Sequence, residues 1–223
     1  MITVHHLNNS RSQRVLWLLE ELGQPYEIVR YERDARTMLA PASLKAVHPL
    51  GKSPVVTVDG LTLAESGAIL ETLTEMYGGG KFSPAVGSPD ALRHRYWMHF
   101  AEGSAMPPLL LKLVFDRMES GKMPFFAKPI AKMIAGKVKA QLVTPQIARQ
   151  LDFMETELGK SEWFAGDTFT TADIQMSFPI EAARMRGGLD EKHPRLMAYL
   201  DRIHSRPAYK RAIERGGPYA FSR

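Results

Sequence analysis

The first stretch with chemical promise is Asn8-Asn9-Ser10-Arg11-Ser12, which joins a short apolar run to a helical pattern. A helix start carries unpaired backbone N–H groups and about half a positive charge, so it favours an anion. A serine hydroxyl placed there either caps the helix or donates to a bound anion, and spacing alone favours the cap. A second stretch, Lys52-Ser53-Pro54-Val55, places proline at the opening of a β-type run, which is tolerated on a sheet edge. Only about 5–6% of X–Pro bonds are cis, so composition gives no reason to expect one here. At Glu65-Ser66 a carboxylate and a hydroxyl stand at another helix start. The helix start could receive a carboxylate and Glu65 an ammonium, the two charges of an amino-acid zwitterion. The pair is equally well explained as a cap with a favourable acid beside it. Thr170-Thr171-Ala172-Asp173 has the spacing of a capping box and reads as structural.

Other chemistries find little support. The 223 residues contain no cysteine, which removes disulfides, thiolate zinc sites and a cysteine nucleophile together. The seven histidines are scattered. His5 and His6 alternate across a strand, and His94 and His99 are five apart, a poor spacing for a shared metal on a helix. No metal is expected. G-x-S-x-G, Walker and G-x-G-x-x-G sequences are absent. No run is long and apolar enough to span a bilayer, and the N-terminus lacks the apolar core of a secretory signal. A cytoplasmic protein without membrane insertion is expected.

These stretches must be held by elements of two kinds. Up to about residue 78, β-type runs alternate with helical patterns, in the order β-α-β-α-β-β-α. Strands are expected at 2–6, 26–31, 55–58 and 61–63, the last two joined by the Asp59-Gly60 hairpin signal. Helices are expected at 11–22, where Val15, Leu18, Leu19 and Leu22 form a stripe, at 35–47, and at 66–77. A βαβ unit followed by a hairpin and a helix gives a four-stranded mixed sheet of thioredoxin-like type, its crossover right-handed. Residues 79–89 are rich in Gly, Pro and Ser and read as a linker. Beyond them the pattern is helical only: 90–119, interrupted by Pro107-Pro108, then 134–158, 171–187, 195–204 and 207–215.

Charge follows the same division. Residues 1–78 hold seven basic and nine acidic side chains, net −2, and residues 79–223 hold 22 and 15, net +7. Six basic residues and no acid lie between 120 and 151, without the interleaved aromatics of a base-stacking surface. The run reads as a solvated face that attracts small anions, and no nucleic-acid partner is expected.

Taken in order, the weak signals become specific. Asn9-Ser10-Arg11-Ser12-Gln13-Arg14-Val15-Leu16-Trp17-Leu18-Leu19-Glu20-Glu21-Leu22, His48-Pro49-Leu50-Gly51-Lys52-Ser53-Pro54-Val55 and Leu63-Ala64-Glu65-Ser66-Gly67-Ala68-Ile69 are followed by Tyr96–Ser104 and Phe169–Ile174. Over nearly its whole length the chain resembles a glutathione transferase, most closely a serine-type subclass shared by bacteria and yeast. The resemblance implies an α/β thioredoxin-like glutathione-binding domain over 1–78 and an all-α domain over 90–223 that contributes the electrophile pocket and dimer contacts. It implies Ser10 as the catalytic hydroxyl, with Ser12 close enough to compete, and Pro54 as a cis-proline. Ser53 would meet the cysteinyl part of glutathione through its backbone. Lys52 and His48 would face the glycyl carboxylate, and Glu65 and Ser66 the γ-glutamyl ammonium and carboxylate. Glu102 would reach a neighbouring subunit's site in a homodimer. The implied activity is transfer of glutathione, as thiolate, to hydrophobic electrophiles, with organic hydroperoxides as further substrates. The alternatives are a non-catalytic binding or regulatory module of the same fold, and a glutathione-dependent isomerase or reductive lyase. Asn8, Met106, Phe115, Met123, Phe125 and Phe126 are the expected walls of the electrophile pocket.

Overall fold

A computed structural model describes residues 1–222. Its first part is a four-stranded sheet of β1 (Ile2–Leu7), β2 (Tyr26–Tyr31), β3 (Val55–Val58) and β4 (Leu61–Ala64), in the order β2-β1-β3-β4. β1 and β2 are parallel, and the β1–β3 and β3–β4 pairs are antiparallel. The parallel pair needs a helix to cross between its strands, and α1 (Ser12–Leu22) supplies it. The antiparallel β3–β4 pair closes over Asp59-Gly60, both at positive φ as a tight hairpin demands.

Helix α1 is buried all round from Ser12 to Leu19, because it packs against the sheet and also against three later helices that begin at Ser66, Thr171 and Pro207. Left-handed Gly23 ends it. The expected helix over 35–47 shrinks to α2 (Ala42–Val47). The Asp34 carboxylate accepts from the Arg36 and Thr37 backbone N–H groups and the Thr37 hydroxyl, and this local turn replaces the first helical turns. α3 (Ser66–Tyr77) completes the unit, and 78–88 run on without helix or strand.

The second part is a helical bundle: α4 (Pro89–Phe100), α5 (Met106–Ser120), α6 (Lys128–Val138), α7 (Thr144–Glu157), α8 (Thr171–Arg186), α9 (Pro194–Ser205) and α10 (Pro207–Gly216). The expected break at Pro107-Pro108 takes a specific form. Residues Ala101–Ala105 make a π-type turn between α4 and α5, in which the Met106 N–H reaches back to the Ala101 carbonyl. Prolines 107 and 108 have no N–H to offer the preceding turn. The Ser104 carbonyl instead accepts from the Gln150 side chain at 2.8 Å. A second π-type turn, Lys139–Val143, precedes Pro145, so the single helix expected over 134–158 is two helices joined through that turn. α8 is the bundle's axis, with every residue from Thr171 to Ala183 buried. One apolar core runs through both parts, from Val4 and Leu19 to Trp97, Phe164 and Ile203.

Candidate active site

Between the sheet part and the bundle lies a cleft of about 370 Å³ lined by Arg11, His48, Leu50, Lys52, Ser53, Pro54, Ala64, Glu65, Ser66, Glu102 and Leu110. Six side chains singled out in the sequence (His48, Lys52, Ser53, Pro54, Glu65 and Ser66) therefore share one concave surface. Each arrives from a different local device. His48 ends α2 in extended conformation. The Ser53–Pro54 peptide is cis. Glu65 precedes α3 with φ of 69°, a backbone region that costs a non-glycine residue about 1–3 kcal/mol and that collects at functional sites. Buried Ser66 opens α3, and no acid occupies that helix's first turn.

Ser10 lies just behind this surface and is only 4% exposed. Its hydroxyl can donate to the Ser53 Oγ at 3.3 Å, lies 2.7 Å from the Ser12 Oγ, and accepts from the Ser12 N–H at 3.2 Å. Proton bookkeeping separates the three hydroxyls. Ser53 donates to the His5 carbonyl at 2.9 Å while accepting from the Leu7 N–H. Fully buried Ser12 lies 2.9 Å from His6 Nδ1. Burial, and then the Arg30 charge, push the His6 ring down to about 4, so it is neutral, and the Gly216 carbonyl holds its proton. Nδ1 is then the acceptor and Ser12 the donor. Ser10 keeps a proton that can go to either the Ser12 or the Ser53 oxygen.

Beside the serines, buried Arg14 donates to the Gln175 carbonyl and, at 2.6 Å, to Glu102. Arg11 donates through Nε to both Glu102 oxygens at 2.9 and 3.0 Å. Burial pushes the Glu102 carboxyl up, but Arg14 and Arg11 more than offset it and leave it below its ordinary value. Glu102 is thus committed within its own chain, across the junction of the two parts. Two guanidiniums of the same chain occupy both its oxygens.

The six expected pocket walls do not line this cleft. The Asn8 side chain accepts from the Arg33 N–H, Met106 is in the core, and Phe115 packs against that core. Phe125 and Phe126 are 88% and 67% exposed on the segment leading into α6. Arg11, Leu50 and Leu110 line the cleft instead. Leu110 was legible only once the π-type turn was known, since that turn sets the phase of α5. Thr170 and Asp173 behave as read: they form a capping box, and the Asp173 carboxylate also accepts from the Phe164 N–H at 3.0 Å. Among the described residues no three His, Cys, Asp or Glu side chains gather to hold a metal, and no helix is long and apolar enough to cross a membrane.

Comparison with known proteins agrees with this arrangement. The family profile of the glutathione S-transferase N-terminal domain matches residues 1–75, and that of the C-terminal domain matches residues 117–207. "Glutathione S-transferase 3" of Schizosaccharomyces pombe is 40% identical over 96% of this chain and 88% of that protein. "Glutathione S-transferase 1" of Saccharomyces cerevisiae is 33% identical over 96% of this chain and 95% of its own length. Among solved structures, a glutathione S-transferase from Actinobacillus pleuropneumoniae superposes with a TM-score of 0.80 at 32% identity, covering 100% of this chain and 96% of that one. With yeast and bacterial relatives of this similarity over nearly its full length, the chain belongs to the glutathione S-transferase family.

Proposed function

We propose that the chain is an enzyme that binds glutathione in the cleft and activates its thiol as thiolate for attack on an electrophilic carbon. The observation that carries this reading is the convergence of His48, Lys52, Ser53, Pro54, Glu65 and Ser66 on one surface, with the Ser10 hydroxyl behind it within reach of the Ser53 oxygen. Lys52 and His48 face the glycyl carboxylate, Ser53 the cysteinyl backbone, and Glu65 with the start of α3 the γ-glutamyl ammonium and carboxylate. A non-catalytic module would have no need of this complete set of contacts.

The energetics are adequate. A thiol of ordinary pKa, near 8.5, is only about 3% thiolate at pH 7. Lowering that pKa by about two units takes roughly 2.7 kcal/mol. A hydrogen bond to a charged group contributes about 1.5–3 kcal/mol, and the start of α1, free of acids in its first turn, adds its dipole. Ser10 is a donor to the thiolate and neither attacks nor accepts a proton. Within this reading residues 1–78 are the glutathione-binding unit, 79–89 the linker and 90–223 the helical unit. The working form is a cytoplasmic homodimer, and organic hydroperoxides are further oxidants of the bound thiolate.

Calorimetric titration with glutathione tests the reading. Wild type and Ser10→Ala should both bind, and only wild type should release a substantial fraction of a proton near pH 7. Failure of wild type to bind at millimolar glutathione would remove the enzymatic reading. Equal proton release by both proteins would move the donor role from Ser10 to the α1 backbone.

A further inference from the structure

The wall of the cleft facing away from Lys52 and Glu65 is cationic beyond what the tripeptide requires. Arg11 lines the cleft. Only its Nε is engaged, on Glu102, so both terminal amino groups lack an acceptor among the described residues. Its guanidinium carbon stands 4.9 Å from the centre of the Phe178 ring, which holds it flat against an apolar shelf. Phe178 lies 5.1 Å from Phe221, and the Arg186 guanidinium stands 5.2 Å over Phe221. With Arg14, 5.5 Å from the Phe178 ring centre, three arginines flank one buried aromatic pair. On α5, Arg117 follows the cleft-lining Leu110 by seven residues, two helical turns, and so shares its face. Arg33 is fixed next to the Ser10 loop by the bond from its backbone N–H to Asn8.

Arg11, Arg33, Arg117 and Arg186 feel one another. Burial and then the charges of Arg11 and Arg117 lower Arg33, and burial with Arg117 and Arg11 lowers Arg186. Countercharge is scarce. Glu102 is already shared by Arg11 and Arg14. Asp116, which faces Arg186 from α5, is held by Lys112 and Lys139, each at 2.7 Å. Among the described residues neither Arg33 nor Arg117 has an acidic partner. Like charges brought together at the edge of a low-dielectric cleft focus a field that draws in anions. Arg11 has both terminal amino groups unengaged, and Arg33 donates through Nη1 to the Met38 carbonyl and keeps its other amino group; such guanidinium edges match a carboxylate's oxygens.

Resting on the glutathione-transferase reading, we propose that the second-substrate side of the cleft selects electrophiles bearing a carboxylate, which Arg11, Arg33 and Arg117 bind while the apolar remainder lies against Leu110. In the simplest case, an aryl halide, the glutathione sulfur forms a bond to the chlorine-bearing ring carbon. The carbon–chlorine bond breaks, chloride leaves with the electron pair, and the thiol proton passes to solvent.

The test compares 4-chloro-3-nitrobenzoate with its methyl ester, a pair differing in one charge. Each rate is corrected for the uncatalysed reaction with glutathione. Wild type should favour the acid in kcat/KM. In the Arg33→Gln, Arg117→Gln double variant the acid-to-ester ratio should fall about tenfold, the scale of lost charge-assisted hydrogen bonds. The two glutathione conjugates and S-methylglutathione are also titrated directly, which needs no turnover. The carboxylate conjugate should bind more tightly than the ester conjugate, and the variant should lose that preference. An equal acid-to-ester ratio in wild type and variant, with equal conjugate affinities, overturns the proposal and leaves the transferase reading intact. An equal loss for S-methylglutathione and the carboxylate conjugate also overturns it, by assigning the field to the tripeptide. No turnover of either halide, with the carboxylate preference of the conjugates kept, overturns the transferase reading and with it the selection of electrophiles, and leaves a cleft that only binds the carboxylate conjugate.

Discussion

Two helix starts in this molecule are built from the same residue types and end in opposite chemical states. At α8 the Thr170 hydroxyl caps the helix, and the Asp173 carboxylate accepts from the Thr170 N–H, the Thr170 hydroxyl and the Phe164 N–H. Every polar group is closed on its own neighbours and fully buried. At α1 the helix also begins next to buried serines, but its first turn contains no acid. Its hydroxyls pass hydrogen bonds from one to the next until one proton, on Ser10, is left without a fixed destination beside a cleft. What separates these two starts is the carboxylate: Asp173 completes the circuit at α8, and no acid stands in the first turn of α1 to do so.

The comparison yields predictions of decreasing size. Replacing Asp173 by alanine strands two buried N–H groups and should cost about 3–4 kcal/mol of stability, read by chemical denaturation. The folded fraction should bind glutathione as wild type does. A fall in glutathione affinity as large as the fall in stability would break the contrast between the two helix starts.

Acid comes next. His6 at the α1 end, and His94, which bonds Thr171 at the α8 end, are both held down to about 4, chiefly by burial. A histidine with a lowered pKa contributes stability that is complete above about 6.5 and is lost as pH falls toward 4. Asp173 has the opposite sign: burial raises it to about 6, so its destabilising charge is relieved as pH falls through 6. Two histidines against one carboxyl leave a net loss of about 2–3 kcal/mol between pH 7 and 5. Asp173→Asn, which cannot titrate, should steepen that loss by about 1 kcal/mol. An unchanged pH profile in Asp173→Asn would show that this carboxyl titrates normally.

Ser10→Ala should reduce kcat/KM by about thirtyfold, near 2 kcal/mol, and also lower stability by about 1 kcal/mol because it strands the buried Ser12 N–H. Ser12→Ala should spare the activity. It loses about 1 kcal/mol of stability through its buried bond to His6 and barely shifts the pKa of bound glutathione, followed by thiolate absorbance. Swapped outcomes would exchange the two assignments. The smallest effect is at the exposed Lys52, where alanine should raise the glutathione KM by about two- to fivefold, an effect that salt weakens.

How much of this could be read from the chain depends on whether the signal is local. The β1–α1–β2 unit, the hairpin and α3 were legible because stripe, turn and stop residues all lie within a few positions of what they control. The shortening of α2 was not, because Asp34 binds three donors at a turn that competes with helix at nearly equal local preference. Six cleft residues were legible from their order along the chain. Arg11 was not singled out as a cleft residue. Its position depends on Glu102 and Phe178, 91 and 167 positions away, and a cation just before α1 carries no signal of its own in the sequence. The expected aromatic walls are not among the residues lining this cleft, for a related reason. Side-chain type suggests what a pocket wants, but only the phase of α5 determines which side chains it receives.

That phase rests on Ala101–Ala105. The turn holds one residue more than a regular helix would, so everything after it is rotated by about 100° relative to α4. Glu102 sits within the surplus, clamped to α1, while Leu110 and Arg117 follow in the shifted frame. Deleting a single residue there would restore an ordinary helix and swing the cleft-facing side chains toward the bundle, without altering any side chain that meets the tripeptide. A splice of α5 from a relative with an uninterrupted helix would carry the right letters in the wrong phase.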